Sequence, residues 1–189
     1  MRELFTAAWA LQGFCRSQGW RFCFIGGVAV WRWGKPRLTQ DIDLTLLTGF
    51  QGEEKFVDAL LSHYHSRVPN GRNLFLAQRV LRLADESGVP MDIALGGLPF
   101  EESAVVRATG HEFVPGEPLQ VCSAEDLLVM KAFAGRPQDW ADVDAVVARH
   151  PAGLDWNYIY TQLTPLANLK EAPELVEQLR ALEMKWRVR

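Results

Sequence analysis

The sequence predicts an α/β protein of the α+β type, with a small mixed β-sheet, flanking helices and a helical C-terminal extension. Short apolar runs bounded by glycines and polar turns dominate the first 122 residues, whereas helical periodicity dominates from residue 123 onward. The 189-residue chain is 48% hydrophobic, which is enough to bury a sizeable core. We therefore divide it into a core at 1–122 and a helical region at 123–189 that packs on this core.

Local patterns predict each element. Helices are expected where apolar residues recur at helical spacing, and strands where short apolar runs end at glycines or turns. In chain order, these are a helix at 2–18, a strand at 21–25, a brief helix at 28–34, a strand at 41–47, a helix at 53–64, a β-hairpin at 79–95, a helix near 99–108, two short strands within 111–122, and a run of C-terminal helices. The basic stretch at 65–73 is predicted to be a loop.

Composition excludes several classes of protein. The formal net charge of −3 argues against a generic polyanion-binding protein. The three cysteines show neither pairing nor metal-ligand spacing, which predicts reduced thiols in a cytosolic protein. No apolar run approaches the roughly 18 residues that a membrane span needs. We therefore expect a soluble, cytoplasmic protein with no membrane partner.

Two aspartates one residue apart stand in the apolar run DIDLTLL. Residues two apart in a strand point to the same face, so Asp41 and Asp43 project together. Carboxylates this close repel each other unless a cation or a proton lies between them. Asp92, in VPMDIAL, is a third acid at an otherwise apolar strand position. If its strand lies beside DIDL, the three carboxylates can hold Mg²⁺ or Mn²⁺, and a two-metal site is possible.

A pair of glycines follows the preceding predicted strand. Gly26 and Gly27 would expose backbone N–H groups at the start of a short helix, where a triphosphate can approach closely. Each feature alone has a plain alternative, because glycine pairs are common in turns and Asp-x-Asp pairs are common on solvated edges. Their combination, with 13 residues between Gly27 and Asp41 and an aspartate in a later strand, is far more specific.

The combination of Gly-Gly, Asp-Ile-Asp-Leu and a later Met-Asp-Ile resembles the DNA polymerase β-like nucleotidyltransferase superfamily. Within it, the sequence is most similar to the minimal bacterial branch that includes AbiEii-type toxins of toxin–antitoxin systems, over about residues 20–147. The resemblance implies that Gly26 and Gly27 hold the triphosphate. It further implies that Asp41, Asp43 and Asp92 bind metal, with Asp92 helping to deprotonate the acceptor. Many members have serine where this chain has Gly27.

The stretch SAEDLLVMKAFAGRPQDW holds the remaining candidate residues. Ser123 and Asp126 have the spacing of a helix-capping box, and Lys131 lies on an apolar helical face. Its ammonium either extends to solvent or reaches a phosphate, and on either alternative removing the charge should not destabilise the protein. The Asp-x4-Lys-x2-Ala spacing is similar to AbiEii-like proteins, which favours a catalytic and nucleotide-binding role for Lys131. Arg136 is a further candidate nucleotide ligand, or else the partner of Asp139 in a local ion pair.

Three functions are compatible with these residues. The first is an active nucleotidyltransferase that uses an NTP (ATP or another), releases pyrophosphate and modifies RNA such as tRNA, a protein or a small molecule, with an antitoxin as a partner if it is a toxin. The second is a degenerate nucleotide- or partner-binding module, and the third a module whose acids bind metal only for stability. The intact acid triad favours the first. Lys35, Arg37, Arg79 and Arg82 are predicted to be solvated charges that as a group could line the acceptor side.

Overall fold

A computed structural model of the chain describes residues 2–150 and 152–187. Within these ranges, the helices are α1 (Arg2–Ser17), α2 (Gly26–Trp33), α3 (Glu54–His63), α4 (Arg72–Gln78), α5 (Pro99–Arg107), α6 (Ala124–Ala134), α7 (Pro137–Arg149), α8 (Trp156–Leu169) and α9 (Glu174–Arg187). The strands are β1 (Phe22–Phe24), β2 (Ile42–Leu47), β3 (His65–Ser66), β4 (Val80–Ala84), β5 (Pro90–Gly96), β6 (Thr109–Glu112) and β7 (Pro118–Val121).

The described strands form one mixed sheet in the order β3-β4-β5-β2-β1-β7-β6. The predicted hairpin is the antiparallel pair β4–β5. Strand β5 runs parallel to β2, and β2 runs antiparallel to β1. Helices α1, α4 and α5 contact strands of this sheet. The predicted fold class, a mixed sheet with flanking helices followed by a helical C-terminal region, is therefore confirmed.

The chain divides into two compact units. The first unit comprises the described residues of Met1–Val28 and Leu38–Cys122, and it contains the whole sheet with α1, α3, α4 and α5. The second comprises Ala29–Arg37 and the described residues of Ser123–Arg189, and it contains α6 to α9. Helix α2 begins in the first unit and continues in the second. Residues 29–37 thus belong to the same compact unit as residues that follow about ninety positions later in the chain.

Three local details differ from the sequence-based prediction. Helix α2 begins at Gly26 rather than at residue 28, and β2 begins at Ile42, so that Asp41 directly precedes the strand. The stretch at 65–73, predicted as a loop, holds β3 and the start of α4. Among the residues of α4, only Phe75 is buried. A short helix with one buried side chain leaves no apolar periodicity to read, which explains why the sequence did not reveal it.

The three cysteine side chains lie in the interior of the described structure. Cys15, Cys23 and Cys122 are all buried as thiols, and burial raises the pKa of Cys15 to about 12. A thiol with so high a pKa is unreactive, because the thiolate is the nucleophile.

Within 2–150 and 152–187, no helix combines the length and the apolarity that crossing a membrane requires.

Candidate active site

The register between β2 and β5 places two of the three candidate acids directly beside each other. Asp43 pairs with Asp92 across the parallel strands. Directly opposite residues point to the same face of a sheet, and Asp41 lies two residues before Asp43, which directs it to that face as well. Met91 and Ile93, on either side of Asp92, are fully buried. Burial of these apolar neighbours therefore fixes the face on which Asp92 lies.

The three carboxylates converge. Asp41, Asp43 and Asp92 each offer one oxygen atom, and these oxygens all lie within 4.8 Å of one another. All three residues are partly exposed. A group of carboxylate oxygens at this spacing is the donor set that hard divalent cations such as Mg²⁺ and Mn²⁺ prefer. The residues present therefore fit a divalent cation, which would also relieve the repulsion between them.

The glycine pair brings the backbone up against this cluster. Gly26 has a left-handed backbone with φ +53°, and a Cβ atom there would lie 1.9 Å from Asp43 Oδ2. The next N–H group, that of Gly27, donates a hydrogen bond to Asp43 Oδ2 at 3.3 Å. The glycines thus serve to pack the start of α2 against Asp43. Their contact with a triphosphate stays a prediction.

Replacing Gly26 by alanine should disrupt the cluster. The left-handed backbone disfavours alanine by about 1 kcal/mol, and the new methyl group must in addition displace the Asp43 carboxylate. Gly19→Ala is a matched control, because Gly19 has φ +68° but no atom within 4 Å of its would-be Cβ. We expect both variants to lose stability in urea denaturation, and only Gly26→Ala to lose Mn²⁺ binding as well. Equal Mn²⁺ affinity in the two variants would contradict the close-packing argument.

Thr39 fills the space beside Gly27. A Cβ atom on Gly27 would lie 2.3 Å from Thr39 Cγ2 and 2.6 Å from Thr39 Oγ1. Thr39 itself is buried. A serine at position 27 therefore could not be accommodated unless Thr39 moved. Gly27 thus lacks the hydroxyl group that a serine would supply, but the hydroxyl group of Thr39 lies beside Gly27.

Sequence reasoning missed an arginine that contacts the acid cluster. Arg67 Nη1 lies 2.8 Å from Asp92 Oδ1, with side chains that are 39% and 34% exposed. The backbone N–H of Arg67 donates to the carbonyl of Arg82, which continues the β3–β4 pairing by one residue. The only signal in the sequence is the basic character of the loop at 65–73. A basic stretch does not indicate which of its residues contacts which acidic residue.

Two of the arginines predicted as solvated are ion-paired. Arg79 forms an ion pair with Glu53 and donates to the carbonyl oxygen of Leu95, so it holds the loop before α3 against the end of β5. Arg37 makes a bidentate contact with Asp142, at 3.0 Å for each bond. The solvated reading was therefore wrong for both residues. Arg82 is exposed, in line with the prediction, and lies directly opposite Asp92 on β4.

The second unit contains an ionic network centred on Lys131. The Lys131 ammonium lies 2.9 Å from Asp139 Oδ1 and 3.0 Å from Asp142 Oδ2. Its side chain is only 9% exposed. Arg136 donates from Nε to Asp139 Oδ2 at 2.6 Å, which confirms the predicted local ion pair, and its side chain is 74% exposed. With Arg37, this network joins three cations to two carboxylates.

The start of α6 has the Ser123 N-cap that its sequence predicts. The Ser123 hydroxyl oxygen accepts a hydrogen bond from the Asp126 N–H at 3.1 Å, which is the expected N-cap. The Asp126 carboxylate is fully buried and accepts from the hydroxyls of Ser123 and Tyr158, each at 2.6 Å. Asp126 therefore ties α6 to α8 within the second unit.

The acid stability of the protein should depend on the Lys131 network. Burial alone would raise the pKa of Asp139, but hydrogen bonds from Arg136 and Lys131 outweigh it and lower the pKa below the ordinary 3.8. Asp142 behaves in the same way, with Arg37 and Lys131 as its donors. As the pH falls, the unfolded state takes up protons before the folded state does. The contribution of the network to the free energy of unfolding is therefore complete above about pH 4 and is lost as the pH falls further. Urea midpoints for the wild type and Asp139→Asn between roughly pH 3 and 7 should diverge least at the acid end, and a constant difference would contradict this account.

Comparison with solved structures identifies the class of fold. The chain is similar to a nucleotidyltransferase-like antigenic protein from Paracoccidioides brasiliensis, with a TM-score of 0.56 and 18% identity over 96% of this chain and 94% of that one. A looser likeness, with a TM-score of 0.48 and 14% identity over 72% of this chain and 92% of the other, is to the lincosamide antibiotic adenylyltransferase LnuA. The first likeness shows a nucleotidyltransferase-like fold. No curated protein matched the chain in sequence.

A family model gives the more particular assignment. The model of the nucleotidyl transferase AbiEii toxins of type IV toxin–antitoxin systems matches residues 9–159. This match spans most of the 189 residues. The chain belongs to the AbiEii nucleotidyltransferase family, and it is a nucleotidyltransferase. The resemblance expected from the glycine and aspartate motifs is thereby confirmed.

Proposed function

We propose that this nucleotidyltransferase moves a nucleoside monophosphate from an NTP to an acceptor hydroxyl, releases pyrophosphate, and requires Mg²⁺ or Mn²⁺. The observation that carries the proposal is the convergence of Asp41, Asp43 and Asp92, whose oxygens lie within 4.8 Å of one another. Membership of the AbiEii family supports nucleotidyl transfer as the reaction type. A carboxylate cluster beside a glycine turn supports the metal and the triphosphate.

The three aspartates would hold the cation. Bound there, Mg²⁺ or Mn²⁺ would neutralise charge on the phosphates and make the acceptor hydroxyl more acidic. The acceptor oxygen forms a bond to the α-phosphorus, and the bond between that phosphorus and the pyrophosphate oxygen breaks. We assign to Asp92 the acceptance of the acceptor's proton, since a positioned carboxylate can act as a general base.

Gly26, Gly27, Lys131 and Arg136 are proposed to bind the nucleotide. Lys131, Arg37 and Arg136 bring three cationic side chains together around Asp139 and Asp142, which supports a phosphate ligand. Arg136 is the most exposed of these cations and therefore the best placed to meet an anion. Lys131 has two carboxylate partners within 3.0 Å. We therefore propose that Lys131 acts mainly by positioning Asp139, and through it Arg136, whereas its direct contact with phosphate stays a prediction.

The acceptor belongs to one of three classes: an RNA such as tRNA, a protein, or a small molecule. The family description, a toxin of a type IV toxin–antitoxin system, supports a toxin role and a cognate antitoxin as a partner. The residues of the cluster do not favour one nucleobase, so all four NTPs are candidate substrates.

The deciding experiment uses NTPs labelled at two positions. The protein, Mg²⁺ and a cell extract are incubated with each NTP labelled either at the α- or at the γ-phosphate. We expect one macromolecule or metabolite to gain the α-label, while the γ-label appears in pyrophosphate. EDTA should abolish both signals. Transfer of the γ-label to the acceptor would overturn the proposed reaction, and transfer that resists EDTA would overturn the metal requirement.

A further inference from the structure

The contact between Arg67 and Asp92 joins a cation of the chain to an acid of the proposed metal site. Arg67 Nη1 and Asp92 Oδ1 are 2.8 Å apart, which is the length of a charge-assisted hydrogen bond. The Arg67 and Asp92 side chains are 39% and 34% exposed, respectively. The contact between the guanidinium and the Asp92 carboxylate is therefore partly open to solvent.

The strand register explains how Arg67 comes to this position. Arg67 is held opposite Arg82 by its backbone N–H, Arg82 lies opposite Asp92, and Asp92 lies opposite Asp43. Residues directly opposite one another share a sheet face. The side chain of Arg67 reaches Asp92 across the intervening strand β4. Arg67 lies at the outer edge of the sheet, directly after the two-residue strand β3.

Electrostatics makes this guanidinium a competitor of a bound cation. A divalent cation held by Asp92 would meet the positive charge of Arg67 at the same carboxylate, and like charges at such distances repel. A metal-bound NTP instead brings several negative charges, which attract Arg67 and offer it a new partner. A bare cation must therefore displace Arg67 from Asp92 without offering it a new partner, which weakens binding of the cation. A cation that arrives with a nucleotide brings phosphates that can pair with Arg67, which favours the displacement.

We infer that Arg67 is a built-in counter-ion of Asp92 that a divalent cation must displace, and that this displacement makes metal binding depend on the nucleotide. This inference rests on the proposed function, because it takes Asp41, Asp43 and Asp92 as the cation site.

The test measures Mn²⁺ affinity with and without a non-hydrolysable NTP analogue, by electron paramagnetic resonance or calorimetry. Without the analogue, Arg67→Gln should bind Mn²⁺ about three- to tenfold more tightly than the wild type, because a partly exposed ion pair and a nearby repulsion are removed. Arg67→Lys keeps the charge and should stay near the wild type. With the analogue, Arg67→Gln should gain much less, so the nucleotide should enhance its Mn²⁺ affinity by a smaller factor.

Two control variants separate contact from general charge. Arg82→Gln removes a positive charge from the same face, and Arg72→Gln breaks an exposed ion pair with Asp58 elsewhere in the first unit. Arg82→Gln should tighten Mn²⁺ binding less than Arg67→Gln, and Arg72→Gln should leave it unchanged. Equal effects of the Arg67 and Arg82 substitutions, or no gain in Arg67→Gln, would overturn the inference alone. Failure of every variant to bind Mn²⁺ even with the analogue would instead overturn the proposed function.

Discussion

Asp43→Asn is expected to lower the rate of nucleotidyl transfer at least about 100-fold while the protein remains folded. Removing one electrostatic group that acts on the reacting phosphate usually costs this much or more. Asp43 occupies the centre of the cluster, since it pairs with Asp92 across the strands and lies two residues after Asp41. Asparagine keeps the shape and one carbonyl oxygen, which can still accept the hydrogen bond from Gly27. Relief of repulsion among the three acids should even raise the melting temperature in metal-free buffer.

The matched control for this variant is Asp58→Asn. Asp58 is an exposed aspartate of the same unit that pairs with Arg72, so the substitution removes the same charge without touching the cluster. We expect Asp58→Asn to transfer label at the wild-type rate. Steady-state transfer of α-label, measured beside thermal unfolding of all three proteins, makes the comparison. An Asp43→Asn protein with normal transfer would exclude Asp43 from the site.

Lys131→Met is expected to destabilise the second unit by about 3 kcal/mol. Loss of one partner from a buried ion pair leaves uncompensated charge in a poorly solvated place, and such changes cost about 3 to 5 kcal/mol. The Asp139 and Asp142 side chains are 1% and 4% exposed, so water cannot replace the missing ammonium. Arg136 and Arg37 still contact them, which places the expected loss at the lower end of that range. The sequence alone led to the opposite expectation, that deleting the charge would be neutral or stabilising.

Lys185→Met provides the comparison for Lys131→Met. Lys185 pairs with Asp144 in the same unit, but the two side chains are 47% and 36% exposed. An exposed pair of this kind contributes about 1 kcal/mol or less. Urea unfolding should therefore separate the two methionine variants clearly. Equal stability of Lys131→Met and the wild type would mean that the network is not holding the fold. The nucleotide affinity of the folded protein tests whether Lys131 also contacts phosphate. If it does, Lys131→Met should weaken nucleotide binding by roughly 1.5 to 3 kcal/mol.

The sequence revealed the acid cluster because its signals are local. Asp41 and Asp43 at the start of one predicted strand, and Asp92 in another, are visible as exceptions to an apolar pattern, and they can converge only if the two strands are neighbours. The glycine pair is visible for the same reason. These signals also sufficed for the fold class, since periodicity and turn residues specify individual elements.

The partners of the charged residues could not be read in the same way. The pairing of Arg67 with Asp92 depends on an edge strand of two residues, which has no apolar alternation to mark it. The pairing of Lys131 with Asp139 and Asp142 depends on how α6 meets α7 at Gly135, which adopts φ +72°. Side-chain contacts between elements follow from tertiary packing and not from local pattern. Sequence reasoning therefore found the acid cluster and the local pair of Arg136 with Asp139, but it missed the contact of Arg67 with Asp92 and the carboxylate partners of Lys131.

The alternation of β5 has a consequence for how this family can vary in length. Met91 and Ile93 are fully buried, and Asp92 between them belongs to the cluster. An insertion or deletion of one residue within the strand would exchange these faces, so that a carboxylate would enter the core and two large apolar side chains would leave it. The turn between β4 and β5, where Glu86, Ser87 and Gly88 are exposed, carries no such restriction. Natural insertions and deletions in related genes should therefore accumulate in this turn and be absent from the strand beside it.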